Sequence, residues 1–147
     1  MRIRVAVTID VPPDRLWRQL EAIENHVEWM ADARGITFVG SRRRGVGTEF
    51  DCVTAIGPLR TTDRMVVTEW EPRRAMGIEH RGVVTGRGRF TLKRKRGGRT
   101  RFSWDERLQF PWWMGGPLGA VAAKPLLRAV WRRNLGRLKR LAEGADA

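Results

Sequence analysis

The sequence predicts an α+β fold in which one face of an antiparallel sheet is covered by a long C-terminal helix. Residues 2–10 alternate apolar and polar side chains, which is typical of a strand. From residue 36 to residue 110, six further strand-like segments follow one another across short turns. Residues 117–143 then change to helical periodicity. Consecutive strands joined by short turns form an antiparallel meander, and its apolar face needs a cover.

The first strand is followed by two predicted short helices. Residues 11–14, Val-Pro-Pro-Asp, break the strand, and proline favours the first turn of a helix. The apolar residues between Leu16 and Ile23 predict a helix there. A second short helix is expected from Asn25 through Trp29 and Met30.

The six later strands are bounded by turns rich in glycine, proline and arginine. The turn at residues 95–98, Lys-Arg-Gly-Gly, is a strong hairpin signal. The predicted strands are 36–41, 48–56, 60–69, 75–80, 83–93 and 100–110.

The C-terminal helix has a cationic side and an apolar side. Its cations are Lys124, Arg128, Arg132, Arg133, Arg137, Lys139 and Arg140. Its apolar residues recur at three- and four-residue steps: Leu118, Val121, Ala122, Leu126, Ala129, Val130, Leu138 and Leu141. We expect this apolar stripe to lie against the sheet, and a curved sheet to leave a space beneath it.

Length and composition predict one cytoplasmic domain, residues 1–143, followed by a short tail, residues 144–147. The chain has 147 residues, of which 41% are hydrophobic, enough for a core without metal or disulfide support. It contains no apolar run of membrane-spanning length and no apolar signal segment. The single cysteine, Cys52, excludes an internal disulfide framework and a cysteine-based zinc site. We expect no cofactor and no metal.

The net charge of +13, from 29 basic and 16 acidic residues, leaves two interpretations open. The scattered arginines suit a solvated surface, yet a basic balance also attracts nucleic acid or an anionic membrane. Strand parity places Arg87, Arg89, Arg99 and Arg101 on the outward face of one hairpin, where they would make weak anionic contacts. Recognised nucleic-acid-binding motifs are absent from the sequence.

Five motifs in this order resemble the START-like superfamily, also called SRPBCC or Bet v 1-like, and within it the polyketide cyclase/dehydrase group. They are Val11–Trp17, Gly45–Thr48, Val67–Arg74, Gly98–Thr100 and Leu135–Leu141. The resemblance implies a helix-grip fold, with a seven-stranded antiparallel sheet wrapped around the C-terminal helix and a hydrophobic cavity between them. It also implies a small hydrophobic or aromatic ligand, such as a lipid or polyketide. Some members catalyse cyclisation or dehydration, but the group has no universal catalytic motif to transfer.

Strand parity predicts which residues line such a cavity. On the last strand, Phe102, Trp104 and Glu106 share the inner face, because Arg101 and Arg107 on the other face would be costly to bury. Gly86 and Gly88 either leave room for a ligand or allow the strand to bend. The expected cavity residues are Trp29, Met30, Phe50, Cys52, Thr54, Met76, Ile78, Gly86, Gly88, Phe90, Phe102, Trp104, Trp113, Leu118, Val121, Ala122, Leu126 and Ala129.

Two polar residues are candidates for acid–base catalysis. Glu106 lies on the apolar parity of its strand, where burial would raise the pKa of its carboxyl group. His80 is the side chain type whose pKa lies nearest to neutral pH. The alternatives are that Glu106 reaches solvent or pairs with an arginine, and that His80 is exposed at its turn.

Three functions therefore remain open at the level of sequence. The first is binding of a small hydrophobic ligand, and the second is a cyclase or dehydrase reaction that uses Glu106 and His80. The third is surface binding of nucleic acid or anionic membrane. The adjacent Trp112 and Trp113 either cap the cavity entrance, contact a membrane or fold back over the helix start.

Overall fold

The computed structural model describes residues 1–144; residues 145–147 of the expected tail lie outside the described residues. The strands are β1 (Arg2–Ile9), β2 (Ala33–Val39), β3 (Glu49–Ile56), β4 (Leu59–Glu71), β5 (Ala75–Arg81), β6 (Thr85–Lys95) and β7 (Arg99–Gln109). The α-helices are α1 (Pro13–Glu21) and α2 (Gly116–Gly144). Two short 3-10 helices cover Ile23–Glu28 and Trp112–Met114. The predicted order of elements is confirmed, with the second short helix in the 3-10 form.

The seven strands form one antiparallel sheet in the order β1-β7-β6-β5-β4-β3-β2. Successive strands from β2 to β7 are neighbours, and β1 adds at the far edge beside β7. The amino group of Met1 donates to the carbonyl oxygen of Leu108 over 3.1 Å, which ties the chain start to the end of β7. The predicted helix-grip fold is confirmed.

Local irregularities bend the sheet toward the helix. The register shifts between Ala33 and Gly35 on β2 and between Val67 and Glu69 on β4. Such bulges increase the twist of a strand and let the sheet curve around α2. The turn between β6 and β7 contains Gly97 and Gly98, whose φ angles of 75° and 71° favour glycine.

The main core lies between the C-terminal half of α2, strands β1, β6 and β7, and helix α1. Trp131, Leu135 and Leu138 of α2 are at most 5% exposed. They belong to one apolar cluster with Ile3 on β1 and Leu16 on α1. At about 25 cal/mol per Å² of buried apolar surface, side chains of this size dominate the stability of the fold.

The sequence prediction of the buried face of α2 is wrong for its first half. Leu118, Val121 and Leu126 are 83%, 69% and 57% exposed, and Ala122 and Ala129 are also exposed. These residues therefore do not line a cavity. The buried residues are Gly116, Ala120, Leu127, Trp131, Asn134, Leu135, Leu138 and Ala142.

The physical reason is that the first half of α2 is apolar on two sides, so helical periodicity alone does not choose between them. The choice is made further along the helix, where Trp131, Leu135 and Leu138 pack into the core and fix the rotation of the whole element. No helix within residues 1–144 combines the length and apolar character needed to cross a membrane.

Candidate functional site

A cavity of about 160 Å³ lies between α2 and the concave face of the sheet. Its walls come from strands β2 to β7 and from the 3-10 helix Ile23–Glu28, and α2 closes it with Leu127 and Trp131. Leu59, 42% exposed at the β3–β4 turn, and the half-buried Met114 lie on its rim. The entrance is thus between that turn and the segment that leads into α2.

One end of the cavity is built from aromatic rings in contact with one another. The ring centroids of Trp104 and Trp131 are 5.0 Å apart, and those of Phe90 and Trp104 are 5.4 Å apart. Trp29 packs against Phe90, Phe102 and Trp104 with centroid distances of 5.7, 6.3 and 5.9 Å. Trp29 and Phe102 are fully buried behind this wall and do not line the cavity.

A histidine–carboxylate pair lies on the cavity wall. His80 on β5 and Glu106 on β7 are separated by β6, yet His80 Nε2 lies 3.0 Å from Glu106 Oε2. The indole Nε1 of Trp104 donates to Glu106 Oε1 over 3.0 Å. Glu106 is 6% exposed, so its carboxylate is held by two donors inside the protein. The alternatives in which Glu106 reaches solvent or pairs with an arginine are excluded.

Gly88 is what allows the pair to form across β6. It pairs directly with both Ile78 and Glu106, and a Cβ at position 88 would collide with the Glu106 carboxylate. Gly86 has a φ angle of 147°, and a Cβ there would collide with the carbonyl group of Arg107. The space gained at Gly88 is therefore filled by Glu106, and Gly86 serves close backbone approach. Neither glycine leaves empty room for a ligand, and Gly86 does not line the cavity.

His80 is stabilised in its protonated form. Burial alone would lower the pKa of His80, but the charge and the hydrogen bond of Glu106, with a further contribution from Asp63, outweigh burial and raise it. His80 is therefore an imidazolium paired with a carboxylate over more of the neutral range than a free histidine. A proton shared between the two groups can be passed to or from a molecule in the cavity.

Asp63 is a second carboxylate on the cavity wall. It is 6% exposed and accepts hydrogen bonds from the backbone N–H of Val83, at 2.7 Å, and from Thr61 Oγ1, at 2.9 Å. A Cβ at position 82 would overlap this carboxylate, so Gly82 makes room for it. Asp63 is thus rigidly positioned on the same wall as His80.

Asp32 connects the cavity to α2. Its Oδ1 accepts a hydrogen bond of 2.7 Å from Asn134 Nδ2, and Asn134 Oδ1 accepts one of 3.0 Å from the backbone of Ala31. Burial raises the pKa of Asp32, against the effect of its bond to Asn134. Asn134 is fully buried, so these two bonds fix the middle of α2 to the loop before β2.

His26 and Cys52 also line the cavity, and both are held in their neutral forms. Burial lowers the pKa of His26 to about 4, and its Nε2 donates to the carbonyl oxygen of Leu20 over 2.7 Å. Burial raises the pKa of the Cys52 thiol to about 11. Neither group carries charge at neutral pH. Within residues 1–144, no group of three histidine, cysteine, aspartate or glutamate side chains is arranged to hold a metal ion.

The structure thus brings together part of the residue set expected from the sequence. Trp113 is 59% exposed and lies outside the cavity, as do the exposed α2 residues Leu118, Val121, Ala122, Leu126 and Ala129. The expected residues that the structure places on the cavity wall are Met30, Phe50, Cys52, Thr54, Met76, Ile78, His80, Gly88, Phe90, Trp104 and Glu106.

Sequence reasoning missed several lining residues that carried usable signals. Asp63 shares its parity on β4 with Thr61 and Met65, which makes it an inward-facing acid. Leu127 and Trp131 are four residues apart, the spacing of one helix face. Asp32 carried no signal, because its position depends on a loop and on Asn134 from a distant part of the chain.

Of the four outward arginines of the β6–β7 hairpin, only Arg89 is paired with a carboxylate within residues 1–144. Arg89 makes a two-pronged ion pair with Glu69, with N–O distances of 2.7 and 3.1 Å. Arg99 donates to the backbone carbonyl of Arg96, and Arg101 donates to Thr8 Oγ1. Arg87 is exposed.

The sequence profile of the family described as "Polyketide cyclase / dehydrase and lipid transport" matches residues 1–143. The chain belongs to this family. The resemblance to the polyketide cyclase/dehydrase group seen in the sequence is confirmed. No curated protein matches the chain in sequence.

Solved structures with the family fold superpose on nearly the whole chain. Protein TTHA0849 from Thermus thermophilus gives a TM-score of 0.79 at 15% identity, with 100% of both chains covered. Protein DR_A0006 from Deinococcus radiodurans gives 0.73 at 17% identity, covering 99% of this chain and 98% of its own. The ZhuI aromatase/cyclase from Streptomyces sp. R1128 gives 0.73 at 18% identity, covering 97% of this chain and 93% of its own. At these identities the likeness establishes the fold.

Proposed function

We propose that this protein binds a small, largely apolar molecule, aromatic or lipid- or polyketide-like, in the cavity between the sheet and α2. The observation that carries the proposal is an apolar cavity with one buried polar pair, His80 and Glu106, on its wall. Natural ligand sites combine mainly apolar walls with a few fixed polar groups that orient the ligand. Membership of the polyketide cyclase/dehydrase and lipid transport family supports the same class of ligand.

The cavity volume limits the size of the ligand. A volume of 160 Å³ is close to the roughly 150 Å³ cavity that accepts benzene, and it is well below the roughly 300–1,000 Å³ of typical ligand pockets. We therefore expect a ligand of one or two rings, or a short acyl chain, to fit without rearrangement. A larger ligand would have to displace the first half of α2, which is the least buried wall.

The polar group of the ligand is expected to be a hydrogen-bond acceptor. Protonated His80 uses Nε2 for Glu106, and its Nδ1–H has no acceptor within residues 1–144. A carbonyl or phenolic oxygen of the ligand would satisfy this donor. The contacting rings of Trp104, Trp131 and Phe90 would pack against the aromatic part of the ligand.

Native mass spectrometry of freshly purified protein, followed by fluorescence titration with 1-naphthol, tests the binding. We expect a retained apolar molecule or saturable quenching of tryptophan emission. Thr54→Phe, which adds a ring on the cavity wall, should weaken 1-naphthol binding about tenfold or more. Thr37→Phe on the outer face is the matched control, because Thr37 is exposed. An unchanged affinity in Thr54→Phe, with the control also unchanged, would refute binding in this cavity.

The same buried pair favours a second function, acid–base catalysis on a cyclase- or dehydrase-type substrate. Cyclisation and dehydration move protons between carbon and oxygen, and a His–carboxylate pair within hydrogen-bonding distance can perform such transfers. Glu106 would accept the proton from carbon, while His80 would stabilise the oxygen anion that forms. Trp104 holds Glu106 in place and Glu106 in turn holds His80, which favours reproducible geometry.

The probe 5-nitrobenzisoxazole tests this second function without knowledge of the natural substrate. Glu106 takes the ring C–H proton, the electron pair forms the nitrile and the N–O bond breaks to give a phenolate. We expect Glu106→Gln to reduce the rate constant by about a hundredfold while 1-naphthol binding is kept. Glu69→Gln on the outer face is the control. Equal rates for Glu106→Gln and the unaltered protein would remove Glu106 from catalysis.

A further inference from the structure

The first half of α2 presents an apolar stripe to solvent. Leu118, Val121 and Leu126 are 83%, 69% and 57% exposed. With them, at steps of three and four residues, lie the exposed residues Ala122, Pro125 and Ala129. We call these six residues the outer stripe. It is a regular helical face, and it is separate from the buried face that carries Leu127 and Trp131.

Two exposed indoles extend the outer stripe at its N-terminal end. Trp112 is 87% exposed and Trp113 is 59% exposed, in the 3-10 helix that leads directly into α2. Large apolar side chains grouped on one surface mark an interaction site more often than scattered ones do. Indole has an apolar body and a polar N–H, which suits the boundary between lipid headgroups and hydrocarbon.

The solvent face of α2 changes from apolar to cationic along its length. After Ala129 the same face continues through Arg132, Arg133 and Arg140, all exposed. Helix α2 contains seven lysines and arginines, and its single acid, Glu143, is paired with Lys139 over 2.6 Å. An apolar stripe that runs into a cluster of arginines is the pattern of helices that lie on anionic membranes.

We propose that the outer stripe, Trp112 and Trp113 form a docking surface for an anionic lipid bilayer. The helix would lie in the plane of the headgroups, with the apolar side chains inserted and Arg132, Arg133 and Arg140 against lipid phosphates. The charge distribution favours this partner over a second copy of the chain, since two copies would bring chains of net charge +13 together. The surface also favours a bilayer over nucleic acid, because a phosphate backbone would not bury the exposed leucines and indoles.

The docking surface adjoins the entrance of the cavity. Phe110 and Met114, on either side of Trp112 and Trp113, line the cavity. Docking would therefore bring the rim of the cavity to the lipid surface. The proposal does not depend on ligand binding, because it stands on exposure and charge outside the cavity.

Vesicle flotation of the full chain tests the proposal. We expect the protein to float with vesicles of phosphatidylcholine and phosphatidylglycerol, and far less with phosphatidylcholine alone. The triple variant Leu118→Ser, Val121→Ser, Leu126→Ser should lower partitioning about tenfold or more. Its side chains are exposed, so the fold should be kept. Val39→Ser with Val46→Ser, at two exposed apolar positions on another surface, is the matched control and should float normally.

Two charge-removing variants distinguish binding through this surface from a general attraction of the basic chain to anionic vesicles. Arg132→Gln with Arg133→Gln should lower partitioning roughly fivefold for each cation removed. Arg94→Gln with Lys95→Gln, an equal charge change at the β6–β7 hairpin, should have a much smaller effect. Emission of Trp112 and Trp113, obtained as the difference from a Trp112→Phe, Trp113→Phe variant, should shift to the blue on mixed vesicles.

Three results would overturn the proposal. One is a failure of the unaltered protein to float with mixed vesicles. Another is flotation that both charge variants reduce equally and the serine variant leaves unchanged, which would show diffuse attraction alone. The last is a dimer in light scattering that the serine variant converts to a monomer, which would assign the stripe to a second copy of the chain.

Discussion

The two halves of α2 are held in different ways. In the second half, residues 130–144, Trp131, Leu135 and Leu138 are packed into the main core. In the first half, residues 116–129, only Gly116, Ala120 and Leu127 are buried, and the larger apolar residues face solvent. The second half thus anchors the helix and also contributes Trp131 to the cavity wall, whereas the first half contributes Leu127 and otherwise faces solvent.

Polar contacts follow the same division. Asn134 bonds to Asp32 and Ala31, and Lys139 Nζ donates to the carbonyl oxygen of Thr8 over 2.9 Å. The backbone N–H of Asp10 donates to Glu143 over 2.9 Å. No side chain of residues 116–129 makes a hydrogen bond or ion pair within the described part of the chain. The second half of α2 is therefore held by both packing and polar contacts, whereas the first half is held by a few buried side chains.

Truncation of one leucine in each half should give the largest contrast. Leu135→Ala should lower the free energy of unfolding by about 2–5 kcal/mol, because it leaves a hole in the packed core. Leu126→Ala should change it by about 0.5 kcal/mol or less, because Leu126 is exposed. Urea unfolding measures both. Similar losses in the two variants would contradict the division of the helix.

Buried His26, on the 3-10 helix Ile23–Glu28, should make the stability of the protein depend on pH. The pKa of His26 is lowered from 6.5 to about 4 in the folded protein, so the unfolded chain binds more protons between these values. Stability should therefore be complete above pH 6.5 and fall by about 3 kcal/mol as the pH drops to about 4. His26→Gln, which keeps a donor for Leu20, should flatten this slope.

His26→Gln reports on His26 alone, because His80 changes the stability in the opposite direction as the pH falls. The pKa of His80 is raised in the folded protein, so its contribution is complete below pH 6.5 and is lost as the pH rises through the folded value. An acid-limb slope that is the same with and without His26 would show that this histidine is not buried in its neutral form.

Asn134 tests the polar contacts that hold the second half of α2. Asn134→Ala should lower the free energy of unfolding by about 1–3 kcal/mol, because it leaves the Ala31 N–H and the Asp32 carboxyl without their partner. Arg132→Ala, two residues earlier on the exposed side, is the control and should be nearly neutral. Equal stability of Asn134→Ala and the control would show that the polar tie is not needed.

Pro125 tests how firmly the first half of α2 is held. Proline has no N–H, so the Val121 carbonyl lacks its helical donor within α2. Pro125→Ala should raise stability by about 2 kcal/mol, because proline costs about 3 kcal/mol inside a helix and saves about 1 kcal/mol in the unfolded chain. It should also slow amide hydrogen exchange in residues 117–124. Exchange in residues 130–144 should stay as it was. Unchanged exchange in residues 117–124 would mean that Pro125 does not loosen the first half of α2.

Much of the candidate site was predictable, because strand parity is a local property. The alternation around Trp104 and Glu106 placed both on the inner face of β7, and the parity of Phe50, Cys52 and Thr54 gave one wall of the cavity. The buried face of α2 was harder to predict. Its first half offers two apolar faces, and nothing within that half distinguishes the face that meets the sheet.

The chain alone determined the order of elements, the strand faces and the amphipathic character of α2, since each of these depends on neighbours within a few residues. Tertiary structure decided the meeting of His80 with Glu106, 26 residues apart, across a strand that carries glycine where their side chains pass. It also decided which side of α2 is buried, because the rotation of a helix is set by its best-packed residues. Those contacts join distant parts of the chain, and no local pattern encodes them.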